Sequence, residues 1–170
     1  MSNGTSVKKR NGSIEPLNLE KIHRMVEEAC EGLAGVSASQ VEIQSGIQFY
    51  DGISTAEIQE ILIRSASDLI TLDNPNYQYV ASRLLLFAVR KSLYGRLREL
   101  PTLEEHIVSC VSQEVYDADI YNKYSLEEIR KADSCLDHGR DFLFTYAGLR
   151  QVVDKSVSYT HLTLPTTPYV

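Results

Sequence analysis

VKKRNGSIEPLNLEKIHR, residues 7–24, decides how this chain is read. Three consecutive cations, Lys8, Lys9 and Arg10, precede Asn11-Gly12, the dipeptide that best tolerates the positive φ angles of a type I′ turn. The stretch therefore predicts a β-hairpin. Pro16 places the second strand at a sheet edge or ends it there. Asn18 reads as the N-cap of a following helix, with Leu17 and Ile22 spaced as a hydrophobic staple. A fourth cation, Lys21, falls in that helix's first turn. The backbone there already presents unpartnered N–H groups with positive partial charge, so Lys21 costs a few tenths of a kcal/mol when no anion is present. A bound phosphate reverses the sign.

Downstream, Leu19, Ile22, Val26, Ala29, Cys30 and Leu33 step at three and four, which predicts a helix from about Leu19 to Leu33 ended by Gly32 and Gly35. "SQVE" from Ser39 fits a capping box for a second helix ending before Asp51-Gly52, and "STAE" from Ser54 fits one for a third. That third helix carries a stripe of Ile58, Ile61, Leu62, Ser65, Ala66, Leu69 and Ile70. "DNPN" separates it from the longest helix, about Pro75 to Tyr94, whose "ASRLLLFAV" is apolar nearly all round and predicts a central position. "TLEE" and "SLEE" open two further amphipathic helices. The expected fold is mainly α: a small β-hairpin lid over a four-helix unit in residues 1–95, followed by additional helices in 96–155. From Ser156 to Val170 the composition changes: no charged side chain, four threonines, two prolines and no helical period. Residues 156–170 read as a non-native tail, like translated adapter sequence, to be left out of fold reasoning.

The 170 residues are 43% hydrophobic and 24% charged, ordinary for a soluble globular protein, and no apolar run approaches the roughly 20 residues needed to cross a bilayer. With no signal-peptide pattern, the expected location is cytoplasmic. The net charge of −6 is uneven: residues 101–141 hold ten acids against four bases. Such acidity argues against DNA as a partner, and leaves the basic cluster at 8–10 suited to a small anion. Cys30, Cys110 and Cys135 are distant from one another and form no C-x-x-C pair, which argues against a disulfide framework or zinc knuckle and for buried free thiols.

The chemistry-bearing candidates gather at the hairpin corner. Lys9 and Arg10 lie on the hairpin, Lys21 at one helix start, Thr55 at another, and Lys91 near the end of the long helix. Glu15 and Asn18, a carboxylate and an amide, suit the donor and acceptor edge of an adenine ring. The same residues also fit a solvated basic patch beside a plain N-cap. Neither G-x-x-x-x-G-K-[ST] nor G-x-G-x-x-G is present. "DHGRD", residues 137–141, reads as a structural salt-bridge and capping knot before it reads as an acid/base pair. No nucleophilic triad or metal set can be assembled.

Three stretches resemble a known family: residues 7–33, "SQVEIQSGIQFYDGISTAEI" and "DNPNYQYVASRLLLFAVRKSLYG". They are similar to the ATP-cone of the α (large) subunit of class Ia ribonucleoside-diphosphate reductases, of the enterobacterial type. The similarity continues through "YDADIYNKYSLEEI" and "DHGRDFLFTYAGLRQ" toward that enzyme's catalytic barrel, and covers about residues 7–155. The resemblance implies a cone that binds ATP as activator or dATP as inhibitor, with magnesium and no covalently bound cofactor. It implies nucleotide contacts at Lys9, Arg10, Glu15, Pro16, Leu17, Asn18, Leu19, Glu20, Lys21, Thr55 and Lys91. Of these, Lys9, Lys21, Thr55 and Lys91 would hold phosphates. Gln59 stands where the enterobacterial proteins carry a histidine near the nucleotide, a departure that bears on ATP-versus-dATP discrimination and on any second bound nucleotide. The implied partners are the radical-generating β subunit and a second α subunit. Because the family's redox cysteines would lie outside this chain, it is expected to be an inactive fragment of the enzyme. Two alternatives carry the same letters differently: an ATP-cone transcriptional regulator, disfavoured by the missing zinc-ribbon cysteines, and a helical interaction module with a vestigial cone.

Overall fold

A computed structural model describes residues 5–9, 12–46 and 48–157. Strands β1 (Ser6–Lys8) and β2 (Ile14–Pro16) pair antiparallel, Val7 opposite Glu15 and Lys8 opposite Ile14, so the hairpin forms as expected. Its connection differs from the expected two-residue turn. Lys9 N–H donates to Ser13 O (2.8 Å) and Gly12 N–H to Lys9 O (2.9 Å), leaving a three-residue loop with Gly12 at φ 85°. Gly12 lies in the left-handed region, which a glycine enters without steric cost. Arg10 and Asn11 lie outside the described residues. A third strand, β3 (Ile53–Ser54), absent from the sequence reading, pairs parallel to β1 and gives the order β2-β1-β3. Pro16 accordingly ends an edge strand, where its missing N–H removes no ladder bond.

Helix α1 (Leu19–Cys30) starts as read: Asn18 Oδ1 accepts from Lys21 N–H at 3.0 Å. It ends before Leu33, with Gly32 at φ 72°. Its buried face is Ile22, Val26 and Ala29, and Leu19 points outward. Helix α2 (Ala38–Gly46) begins one residue before the expected cap, so Ser39 sits inside the helix instead of capping it. Helix α3 (Thr55–Asp68) carries the full capping box, Glu57 N–H to Ser54 Oγ (3.1 Å) and Ser54 N–H to Glu57 Oε2 (2.9 Å). Helix α4 (Tyr77–Tyr94) ends in Gly95 at φ 70° and packs against α1 and α3. Val80, Ala81, Leu84, Leu85 and Phe87 are buried around it, so the apolar run is the centre of the core.

Beyond α4, α5 (Leu103–Ser112) and α7 (Leu126–Asp133) open on capping boxes at Thr102 and Ser125 and pack together through Ile107 and Ile129. Between them lies the short α6 (Ile120–Lys123). Helix α8 (Tyr146–Val152) returns to α4 and adds Leu149 to the main core. The 137–141 knot is structural, as read. Asp137 caps a 3-10 turn over His138–Leu143, and Asp141 pairs with the buried Arg90 at 2.7 Å, beneath which the Phe142 ring lies 5.5 Å away. The cysteines are free but not uniformly buried. Cys30 is half-buried, its thiol pushed up to about 11 by burial, whereas Cys135 is exposed in the turn that follows α7. Residues 158–170, most of the suspected tail, lie outside the described residues.

His23 bridges the first two helices. Its Nδ1 is 2.7 Å from Glu42 on α2 and its Nε2 3.1 Å from Glu27 on α1. The Glu42 hydrogen bond, aided by both carboxylate charges, raises its pKa above the ordinary imidazole value. A folded pKa above the unfolded one gives stability that is complete below the unfolded value, about 6.5, and is lost as pH rises through the folded value. Urea unfolding should therefore find the wild type more stable than His23→Gln at about pH 6, with the gap narrowing by about pH 9. Ser54→Ala should lower stability by about 1 kcal/mol in the same assay, and an unchanged midpoint would show the α3 capping box to be idle.

Candidate functional site

One cavity lies where the hairpin meets the helices. Its volume is about 140 Å³. The hairpin supplies Val7, Lys9, Glu15 and Pro16. Leu17 and Asn18 follow, then Lys21, Ile22 and Met25 from α1. Thr55, Ile58 and Gln59 come from α3, and Lys91 from α4.

Local structure explains each placement. The edge position of β2 leaves Glu15 facing Lys9 across the hairpin, with Nζ to Oε2 at 3.0 Å. Asn18's cap fixes where α1 begins and hence where Lys21 projects. Ile58 and Gln59 stand three and four residues after Thr55, so all three share one face of α3. Lys91 occupies the last turn of α4, where the negative end of the helix dipole holds a cation favourably. The hairpin is held over α3 by more than β3. Asp51 Oδ1 accepts from both Ser6 N–H and Ser6 Oγ at 2.7 Å, which holds its carboxyl below the usual carboxylate range.

The cavity lining has two chemical characters. Lys9, Lys21 and Lys91 face one carboxylate, Glu15, so the lining is net cationic. The start of α3 at Thr55 adds N–H groups that have no intrahelical acceptor. Val7, Pro16, Leu17, Ile22, Met25 and Ile58 are the apolar part of the lining. Such a lining can hold a polyanion through its lysines and a flat, weakly polar group against its apolar side chains.

Eight of the eleven residues expected at the site line this cavity: Lys9, Glu15, Pro16, Leu17, Asn18, Lys21, Thr55 and Lys91. Leu19 and Glu20 turn instead toward the groove between α1 and α2, where they neighbour His23, Glu42 and Ile43, and Glu20 pairs with Arg24. Arg10 lies outside the described residues. The sequence reading of the site missed Val7, Ile22, Met25 and Ile58, whose apolar spacing marks them only as core. Gln59, which departs from the enterobacterial histidine, also lines the cavity. Among the described residues no group of three or more His, Cys, Asp or Glu is placed to hold a metal ion, and no helix is long and apolar enough to cross a membrane.

Comparison with known proteins agrees with this geometry. The ATP cone domain family model matches residues 5–92, the span that contains every lining residue. The chain is 45% identical over 163 residues to the ribonucleoside-diphosphate reductase 1 subunit alpha of Escherichia coli, covering 96% of this chain and 21% of that protein. Identity is 44% over 163 residues to the reductase subunit alpha of Haemophilus influenzae (96% and 21% covered) and 38% over 152 residues to that of phage T4 (88% and 20%). The chain thus spans about a fifth of the length of these relatives. With the family model matched across the hairpin, the first four helices and the whole cavity, the chain belongs to the ATP cone domain family.

Proposed function

We propose that this chain is the effector-binding part of a ribonucleoside-diphosphate reductase α subunit, and that its cavity takes ATP or dATP to set the activity of the complete enzyme. The observation that carries this reading is the convergence of Lys9, Lys21 and Lys91 with the start of α3 beside an apolar wall. The lysines and Thr55 hold the triphosphate, with magnesium entering on its phosphate oxygens. Each lysine is a point charge, and charge-assisted bonds to phosphate are about twice as strong as neutral ones. The adenine lies against Val7, Pro16, Leu17 and Ile22, with Glu15 and Asn18 addressing its edge. Arg10 is a further phosphate partner, and Leu19 and Glu20 contribute through the backbone at the start of α1.

Residues 1–95 form the regulatory cone, and 96–155 lead toward a catalytic domain outside this chain. Reduction of ribonucleoside diphosphates, pairing with a radical-generating β subunit, α-subunit dimerisation and a cytoplasmic setting then belong to the complete protein. The effector acts by binding one assembly state better than another, which is the only way a ligand shifts such an equilibrium.

Calorimetric titration of the 170-residue chain should show saturable binding of both ATP and dATP. Lys9→Ala and Lys91→Ala should each weaken binding by roughly 10-fold or more, the value of one charge-assisted hydrogen bond. No heat with either nucleotide, or full binding by both variants, would remove the assignment.

A further inference from the structure

Helix α4 addresses two surroundings at its last turn. Lys91 lines the cavity, while its neighbour Arg90 is 9% exposed and donates to Asp141 Oδ2 at 2.7 Å, outside the cavity lining. Adjacent helical residues point about 100° apart, so a single turn can serve both. Asp141 belongs to the 3-10 turn His138–Leu143, 51 residues after Arg90 and beyond the residues 5–92 that the cone family model matches. His138 Nδ1 lies 3.4 Å from the same carboxylate oxygen. Phe142, next in the turn, has its ring 5.4 Å from the Arg83 guanidinium, 5.5 Å from that of Arg90 and 6.3 Å from the Phe87 ring. Arg83, Phe87 and Arg90 are spaced by four and three, one face of α4, so the turn is seated along the helix instead of touching it at a point. A guanidinium so enclosed needs its partner, because breaking a buried pair leaves an uncompensated charge.

Resting on the nucleotide reading above, we infer that the last turn of α4 is the joint between the effector cavity and the segment that follows the cone. Asp141 is a positioning residue: through Arg90 it holds the turn that carries Lys91, and a polyphosphate held by Lys91 steadies residues 138–143 in return. The element that moves is the end of a helix, whose final carbonyls lack intrahelical partners and whose last turn frays more readily than its middle. Gly95 N–H, donating to Lys91 O at 3.1 Å, closes that turn. When the turn opens, Arg90 and Lys91 move together, since they are consecutive. Asp141 and the phosphate both bind the closed turn and not the open one, so each raises the population of the state that the other needs. The coupling is reciprocal by necessity: the factor that Asp141 adds to ligand affinity, the ligand adds to the seating of the 138–143 turn. The segment after the cone is thus part of the site without touching the ligand.

The experiment uses the 170-residue chain with ATP and with inorganic tripolyphosphate, a probe without sugar or base. In the wild type, hydrogen exchange read by mass spectrometry should slow at residues 138–143 by roughly 5-fold on saturation with either ligand, the low end of coupling between sites. Helices α5 and α7, which pack on each other, are the control and should be unchanged. Calorimetry should find Asp141→Asn weakened toward both ligands by the same factor of roughly 5. In a Lys91→Ala background the same substitution should weaken binding by less than about 2-fold, because the group that Asp141 positions is gone. An equal loss in both backgrounds would make Asp141 a general support of the fold and overturn the positioning role. Unchanged exchange at 138–143 in the saturated wild type, a measurement that needs no variant, would overturn the coupling even if Asp141→Asn failed to fold. Slowing spread equally over α5 and α7 would mean that the ligand stabilises the whole chain without a particular joint, and would overturn it too. If the wild type bound neither ligand, the nucleotide reading would fall first. If it bound both and residues 138–143 did not respond, only the present inference would fall.

Discussion

The site depends on keeping a three-residue-long hairpin strand in one place. Alone, a ribbon of β1 and β2 is too short to be stable in water. It is fixed because β1 is the middle strand, with β3 on its other side and Val7 buried against Ile53 at the top of the core. The Asp51 carboxylate adds two bonds to Ser6, and Gly52 N–H donates to Ser6 O at 3.0 Å. Because β3 runs directly into α3, the same segment that anchors the strand also starts the helix whose N-terminus faces the cavity. Hairpin position and helix start cannot vary independently, and this linkage sets the distance between Lys9 and Thr55.

Placing three ammonium groups around one small space is unfavourable in the absence of an anion, and the surroundings moderate it in different ways. Lys9 leans on Glu15. Lys91 sits at the favourable end of α4's dipole. Lys21 has no such help from its own helix, since α1 begins beside it and carries Glu20 as the sole acid of its first turn, already paired with Arg24. The acidic balance of the chain as a whole does not neutralise this corner, because much of the excess negative charge belongs to residues 101–141. A short-range cationic pocket in an acidic protein selects for compact, highly charged ligands over extended polyanions.

Much of this was legible in the letters, for identifiable reasons. The capping box at Ser54 and the helix openings at Thr102 and Ser125 are local devices whose partners lie three residues away, and each forms in the fold. The long apolar run of α4 could only be central. What stayed hidden was non-local. Strand β3 is two residues long and exists only because β1 lies alongside it. Ser39 had the right spacing for a cap, but α2 starts earlier, at Ala38. Leu19 fits the apolar period of α1 yet lies at the first turn, where the helix has not reached the core. Within the site, lysines announce themselves by charge. The apolar wall does not, since Val7, Ile22 and Ile58 look like any core residue.

Arg83 has a reach beyond its own helix. From the middle of α4 its guanidinium donates to Ala29 O (3.2 Å) and Glu31 O (2.6 Å), with Phe142's ring 5.4 Å away. The last turn of α1 contains no basic residue, so the cation that complements its terminal carbonyls arrives from 52 residues later in the chain. Helix α1 is therefore completed by a long-distance loan of charge. The hairpin and first helix hold much of the cavity's lining, yet a dissection that stops before Arg83 leaves the terminal carbonyls of α1 without their cationic partner.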